Sequence, residues 1–232
     1  MSHHAFFCEN LHAGEVRLSP DESRHASKVL RLEPGEGVLL LDGNGTIAEA
    51  RILSVSKRGD DVRCEVEGLV GHGRPSVEIR LYLAPPRAKV MDLAVRCATE
   101  LGVSRITPVL CRYGVSKPDG SKESWRQTAI GACKQSRNPW LPLFDTPLPF
   151  EDALAAADEF PVVGMVPRNG RKADPPESQR RIGLWIGPEG GFSPEEEDAL
   201  LERGAFPLTV GPCILRVETA VPALLGALYT LL

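Results

Sequence analysis

From residue 76 onward the chain alternates short apolar runs with segments of helical period, and that alternation leaves few folds open. SVEIRLYLA (76–84) reads as a strand. AKVMDLAVRCATELG follows as a helix, with Val90, Ala94, Cys97 and Leu101 recurring near a 3.6-residue period and Gly102 ending it. SRITPVL is the next strand, and 121–136 the next helix, with Trp125, Ala129 and Cys133 on one face. A short strand near Leu141, a helix over 150–157 and the strand PVVGMV come next. RRIGLWIG reads as a buried strand, and the polar stretch 173–181 leading into it reads as a loop. Strands separated by helices pair in parallel, so the expected fold is α/β with a mainly parallel sheet.

The first seventy residues have a different texture. Ser19-Pro20-Asp21-Glu22 is a compact helix start, with a serine cap, proline at the first helical position and a glutamate to close the box. That helix is expected to run through His25 to about Arg31, ahead of the break at Pro34-Gly35. Two β-type runs flank Asp42-Gly43-Asn44-Gly45, a strong hairpin signal, and DVRCEVEGLV supplies a further strand. Short strands and tight turns fit a small barrel. GHGRPS (71–76) reads as a linker. The expected division is therefore 1–72 and 77–232.

Composition excludes several classes. The 232 residues contain no apolar run of the about 18 residues that a membrane helix needs, and the N-terminus lacks the pattern of a signal peptide. A cytoplasmic protein is expected. The six cysteines form no CxxC pair, so no zinc site is expected, and they read as small buried hydrophobes in a reducing compartment. The five histidines all precede residue 73, and none is assigned to chemistry. The net charge of −4 is unevenly spread: residues 1–73 carry 8 Lys/Arg against 12 Asp/Glu, 74–142 carry 12 against 5, and 143–232 carry 7 against 14. A basic middle between acidic ends provides for a local positive face that the total conceals.

Two segments can carry chemistry. In IGPEGGFSPEEEDAL a buried strand ends at Ile186, a glycine-rich turn follows, and Ser193, Pro194 and Glu196 start a helix at once. Ligands in open α/β sheets bind at the carboxyl ends of strands, where this loop lies. The acidic helix start, Glu195 to Glu197, opposes a phosphate ligand. In LTVGPCILRVETAVPALLGALYTLL a strand is expected to end at Gly211-Pro212. An irregular segment then holds Arg216 and Glu218, and Thr219 can cap a closing apolar helix with Pro222 in its first turn. No GxGxxG follows the first strand of this region and no GxxxxGK[ST] occurs, which disfavours dinucleotide and nucleotide-hydrolase chemistry.

Together, IGPEGGFSPEE and VGPCILRVETA resemble the paired signature of the RsmE family of ribosomal RNA uridine-N3 methyltransferases, within the SPOUT superfamily. RHASKVLRLEPGEGVLLLDGNG, ATELGVSRITPVLCRYGV and WRQTAIGACKQS fit the same family in the same order. The resemblance implies a small PUA-like β-barrel that binds RNA, followed by a SPOUT-type domain with a trefoil knot near the C-terminus. It implies S-adenosyl-L-methionine as methyl donor, 16S ribosomal RNA of the small subunit as substrate, a homodimer, and no metal. Carried onto this sequence, the catalytic pair is Arg216 and Glu218. The donor falls to Met165, to the loop Gly187, Pro188, Glu189, Gly190 and Gly191, and to Val210, Gly211, Ile214, Leu215 and Thr219. Arg24, Lys28 and Arg31, with Arg87 and Lys89, are the expected RNA contacts. Cys97, Gly131, Asn138 and Cys213 stand where the family usually has other residues, so a SPOUT-shaped RNA-binding protein without transferase activity is the competing reading, beside a transferase acting on another RNA.

Overall fold

The computed structural model describes residues 4–120, 122–165 and 178–232. Most of the polar stretch expected to be a loop at 173–181 lies outside them. The chain forms two compact units, one comprising the chain up to Arg74 with Ile130–Leu141, the other Pro75–Ala129 with Pro142–Leu232.

The first unit contains β1 (His4–Phe7), β2 (Gly14–Arg17), α1 (Pro20–Arg24), β3 (Gly37–Leu41), β4 (Thr46–Val55) and β5 (Val62–Gly71). Its sheet has the order β1-β3-β4-β5-β2, with β1 parallel to β3 and the other pairs antiparallel. Along β4, Ala48, Ala50 and Ile52 are buried and alternate with exposed Glu49, Arg51 and Leu53, the period of two that puts one face on the core. Phe6, Leu40, Val62 and Cys64 complete that core. The expected hairpin is present: Asp42 Oδ1 accepts from the backbone N–H of Asn44 at 2.7 Å and of Thr46 at 2.9 Å. Gly45 has φ +99°, and a Cβ there would fall 2.3 Å from the Trp140 ring. The four-residue strands β1 and β2 escaped the sequence pattern because each is too short to display a period.

The first helix is a correction. Its α-helical part stops at Arg24, and His25–Val29 continue as a π-helical turn with Leu30 N–H donating to the His25 carbonyl at 3.0 Å. Arg31 lies beyond it with φ +56°. The wider turn brings the Ser27 hydroxyl to the Gly59 carbonyl at 2.7 Å, a contact from distant sequence that no local pattern contains.

The second unit contains β6 (Glu78–Leu83), α2 (Ala88–Glu100), β7 (Arg105–Leu110), β8 (Leu143–Phe144), β9 (Leu148–Pro149), α4 (Phe150–Ala156), β10 (Phe160–Gly164), β11 (Arg181–Ile186), α5 (Pro194–Glu202), β12 (Phe206–Leu208) and α6 (Val217–Tyr229). Helix α3 (Glu123–Ser136) starts in this unit, and its residues from Ile130 belong to the first. The sheet runs β12-β10-β11-β6-β7-β8 with β9 also on β7, and every pair is parallel, as the alternation predicts. Ile182–Ile186 are all buried, the signature of a parallel strand covered on both faces. Tyr82 and Trp185, register partners on β6 and β11, stack with centroids 4.0 Å apart and planes 3° off parallel. Arg80 bonds Asp145 at 2.9 Å, Glu159 at 3.3 Å and Thr107 at 2.8 Å, and Tyr82 Oη donates to Glu159 at 2.9 Å.

Three further expectations are corrected here. In α2 the buried stripe is Met91, Ala94, Val95 and Ala98, while Val90, Cys97 and Leu101 are half-buried; the helix is rotated by about one residue from the expected face. Strand β12 ends at Leu208 rather than at Gly211: Met165 N–H donates to the Leu208 carbonyl at 3.0 Å, and the Thr209 hydroxyl then donates to the Met165 carbonyl at 3.2 Å. Helix α6 is capped by Arg216, not Thr219, because the N–H groups of Thr219 and Ala220 already donate to the Arg216 carbonyl at 2.9 and 2.7 Å. Pro222 therefore falls in the second turn, not the first.

Candidate functional site

Strands β10 and β11 are neighbours, and their carboxyl ends, Gly164 and Ile186, open onto a cleft of about 250 Å³. The β11 loop forms one wall. Gly191 N–H donates to the Pro188 carbonyl at 2.8 Å, closing a turn with Gly191 at φ +77°. A Cβ at Gly187 would meet the Phe192 ring and backbone nitrogen at 3.1–3.2 Å, so any larger residue there would have to displace Phe192. Gly164 is tighter: a Cβ would sit 2.5 Å from Leu224 Cδ1.

The helix after this loop begins as its sequence dictates. Ser193 Oγ accepts from Glu196 N–H at 3.2 Å, and Glu196 Oε2 accepts from Ser193 N–H at 2.8 Å. The capping box is complete. The other carboxylate oxygen accepts the Arg112 backbone N–H at 2.8 Å. Glu196 thus joins the turn after β7 to the start of α5, a link that spans 84 residues of sequence.

The opposite wall comes from Met165, Val210, Cys213, Ile214 and Leu215, with Val217, Ala220 and Leu224 of α6 behind them. Of the residues expected to hold the donor, Met165, Gly187, Pro188, Glu189, Gly190 and Gly191 line the cleft, as do Val210, Ile214 and Leu215. Gly211, at φ +70°, and Thr219 are exposed and do not line it. Arg216 and Glu218 stand just beyond the lining, with Arg216 Nη1 4.0 Å from Glu218 Oε1 and the Arg216 side chain 85% exposed. Glu189 and Glu197 are the only charged residues among the described lining residues.

Sequence reasoning missed Gly164, Phe192, Glu197 and Cys213 as lining residues, and with them the apolar Ile186, Val217, Ala220 and Leu224. For Gly164 a signal existed, since an isolated glycine in a strand pattern marks close approach of another group. The expected RNA contacts are all exposed: Arg24 (paired with Asp21), Lys28 and Arg31 in the first unit, Arg87 and Lys89 at the start of α2 in the second. Burial pushes the Cys111 and Cys133 thiols up to about 12 and Cys64 to about 11, the behaviour of packing residues. Cys213 is exposed. Among the described residues there is no cluster of three or more His, Cys, Asp or Glu able to hold a metal, and no helix is long and apolar enough to cross a membrane.

Comparison with known proteins places this geometry. Residues 73–229 match the RNA methyltransferase domain model and residues 18–63 the RNA methyltransferase PUA domain model. A relative named ribosomal RNA small subunit methyltransferase E from Mycobacterium bovis is 31% identical, covering 91% of this chain and 84% of its own length. One of the same name from Aquifex aeolicus is 29% identical over 97% of this chain and 98% of its own. The crystal structure of ribosomal RNA small subunit methyltransferase E from Neisseria gonorrhoeae, bound to S-adenosyl methionine, superposes with a TM-score of 0.89 at 27% identity, covering 99% of this chain and 98% of that one. With a PUA-like unit before an α/β SPOUT domain, the chain belongs to the ribosomal RNA small subunit methyltransferase E family of RNA methyltransferases.

Proposed function

We propose that this chain transfers the methyl group of S-adenosyl-L-methionine to N3 of a uridine in 16S ribosomal RNA of the small subunit. The observation that carries the reading is the chemistry of the cleft. Its walls are apolar side chains and glycine-loop backbone, and its charged groups among the described residues are the carboxylates of Glu189 and Glu197. The Glu189 carboxylate repels a phosphorylated cofactor and favours a ligand that pairs an uncharged adenosyl group with a cationic centre. The relative from Neisseria gonorrhoeae, bound to S-adenosyl methionine, supports the same ligand.

Gly187, Glu189, Gly190 and Gly191 would hold the donor from one side, and Met165, Val210, Ile214 and Leu215 from the other. When bound, the donor supplies an electrophilic methyl group. The protein's own task is to prepare the nucleophile. Uridine N3 carries a proton and attacks poorly until it leaves. Glu218, at the start of α6, would accept or orient that proton. The Arg216 guanidinium, extended into solvent beside the cleft, would stabilise the negative charge that forms on the uracil oxygens. No side chain caps the first turn of α6, so its N–H groups add positive potential at the same end. Holding both reactants against one rigid sheet end supplies alignment.

The same reading takes 1–72 as a PUA-like RNA-binding module and 77–232 as the methyltransferase domain, knotted near its C-terminus and paired with a second copy. Arg24, Lys28, Arg31, Arg87 and Lys89 would meet phosphates. The cytoplasm and the assembled small subunit are the proposed setting. Transfer of labelled methyl from S-adenosyl-L-methionine to small subunits lacking the modification tests it. N3-methyluridine at one site is the expected product by nucleoside mass spectrometry. Donor binding with no transfer to subunits overturns the substrate assignment.

A further inference from the structure

Tyr113 lies in the turn after β7, which closes with Gly114 N–H donating to the Cys111 carbonyl at 3.0 Å. The turn is anchored through the buried Glu196 carboxylate, which takes Arg112 N–H and Ser193 N–H at 2.8 Å each. This anchoring places the base of the Tyr113 side chain beside the glycine loop: a Cβ built on Gly190 would come 3.2 Å from Tyr113 Cβ. Yet Tyr113 remains 46% exposed and is absent from the cleft lining. The Arg112 guanidinium stands 5.9 Å from its ring centroid. The protein thus fixes a large aromatic side chain at the rim of the cleft and leaves much of it in water.

An enzyme that modifies a base edge must take that base out of its stack, and proteins commonly receive unstacked bases on aromatic faces. We propose that Tyr113 is the platform on which the RNA substrate rests a base at the mouth of the cleft, which makes it a substrate-positioning residue. The inference rests on the reading of the chain as an RNA methyltransferase. Charge supports the direction of approach. Glu189 on the cleft wall repels the RNA backbone, whereas Arg112 places a cation beside the ring. The Arg112–Glu195 contact at 3.2 Å is exposed on both sides, so a phosphate can replace Glu195 at little cost. Stacking depends on the π face and not on the phenol hydroxyl, which separates this role from a hydrogen-bonding one.

The test compares the wild type with Tyr113→Ala, Tyr113→Phe and Tyr113→Trp, using small ribosomal subunits that lack the modification. Tyr113→Ala is expected to raise the KM for subunits about tenfold, and to weaken filter binding of the same subunits without donor to the same degree. The Kd for S-adenosyl-L-methionine should not move, and Phe and Trp should restore KM to within about twofold of wild type. An unchanged KM in Tyr113→Ala overturns the proposal. So does loss of donor affinity, which would make the ring a buttress of the glycine loop, and so does a Phe variant as poor as Ala. A changed molecular mass of Tyr113→Ala by light scattering would assign the ring to a protein contact instead. A wild type that transfers no methyl to subunits removes the reaction reading and this proposal with it; an active wild type with an indistinguishable Ala variant removes Tyr113 alone.

Discussion

The Lys134 ammonium donates to Glu22 Oε1 at 2.6 Å, joining α1 to a residue 112 positions away within one compact unit. Both side chains are largely buried, and Glu22 Oε2 has no partner among the described atoms. Removing the ammonium leaves a buried carboxylate unpaired. Lys134→Met is expected to destabilise the protein by about 2–4 kcal/mol at neutral pH, read as a lower urea midpoint. Glu22→Gln combined with Lys134→Met should recover most of that loss. An undiminished midpoint in the single variant would mean that water solvates Glu22.

Arg216 offers the opposite case. Its side chain is 85% exposed and contributes only a loose contact to Glu218. Arg216→Ala should leave the urea midpoint unchanged to within about 0.5 kcal/mol. Methyl transfer should fall by about 100-fold or more in kcat, with donor affinity retained. Undiminished transfer would remove Arg216 from the mechanism.

Gly190 tests the cleft itself. A valine there must push against the Tyr113 side chain at 3.2 Å and narrow the glycine wall. Isothermal titration should record donor binding weakened by about tenfold or more in Gly190→Val, since the added methyl groups occupy ligand space. Affinity equal to wild type would place the donor elsewhere.

Cysteine accessibility provides a probe that needs no turnover. Burial holds Cys111 and Cys133 at about 12, so neither offers thiolate at pH 8, whereas Cys213 is exposed on the cleft wall. Iodoacetamide should label Cys213 ahead of both in the folded protein, and S-adenosyl-L-methionine should slow that labelling. Equal labelling with and without donor would count against ligand contact on this wall.

Acid stability has a named contributor. Burial pushes the Asp145 carboxyl up, but the Thr107 hydroxyl and the Arg105 and Arg80 guanidinium groups outweigh it and hold the group below its ordinary 3.8. A depressed carboxylate stabilises the fold above its unfolded pKa and loses that contribution as pH falls through its folded one. Asp145→Asn should therefore lower stability at pH 7 and flatten its decline below about pH 4. Parallel stability–pH curves for the two proteins would show that Asp145 has no part in the acid response.

Much of this was legible because it is local. The capping box at Ser193 and Glu196, the Asp42 hairpin and the buried run Ile182–Ile186 each follow from residues within a few positions of one another. What was hidden depends on partners far along the chain. The π-helical turn after Arg24 meets Gly59, and Ile130–Leu141 joins the first unit although its sequence reads as part of the α/β run. The glycine wall of the cleft could be read from its motif. Tyr113 could not, because its position depends on the Glu196 carboxylate 83 residues downstream.

The pairing of β6 with β11 has a kinetic consequence. Glu78 lies beside Arg181, so the centre of the second sheet joins strands roughly a hundred residues apart. Closing so large a loop costs entropy before any ladder bond repays it. During synthesis β7 can pair with one edge of β6 soon after both emerge, but the other edge must wait, open to other nascent surfaces, until β11 has left the ribosome. Refolding of this protein should accordingly be slow, and dilution or a chaperone that shields β6 should raise its yield more than any change to the cleft.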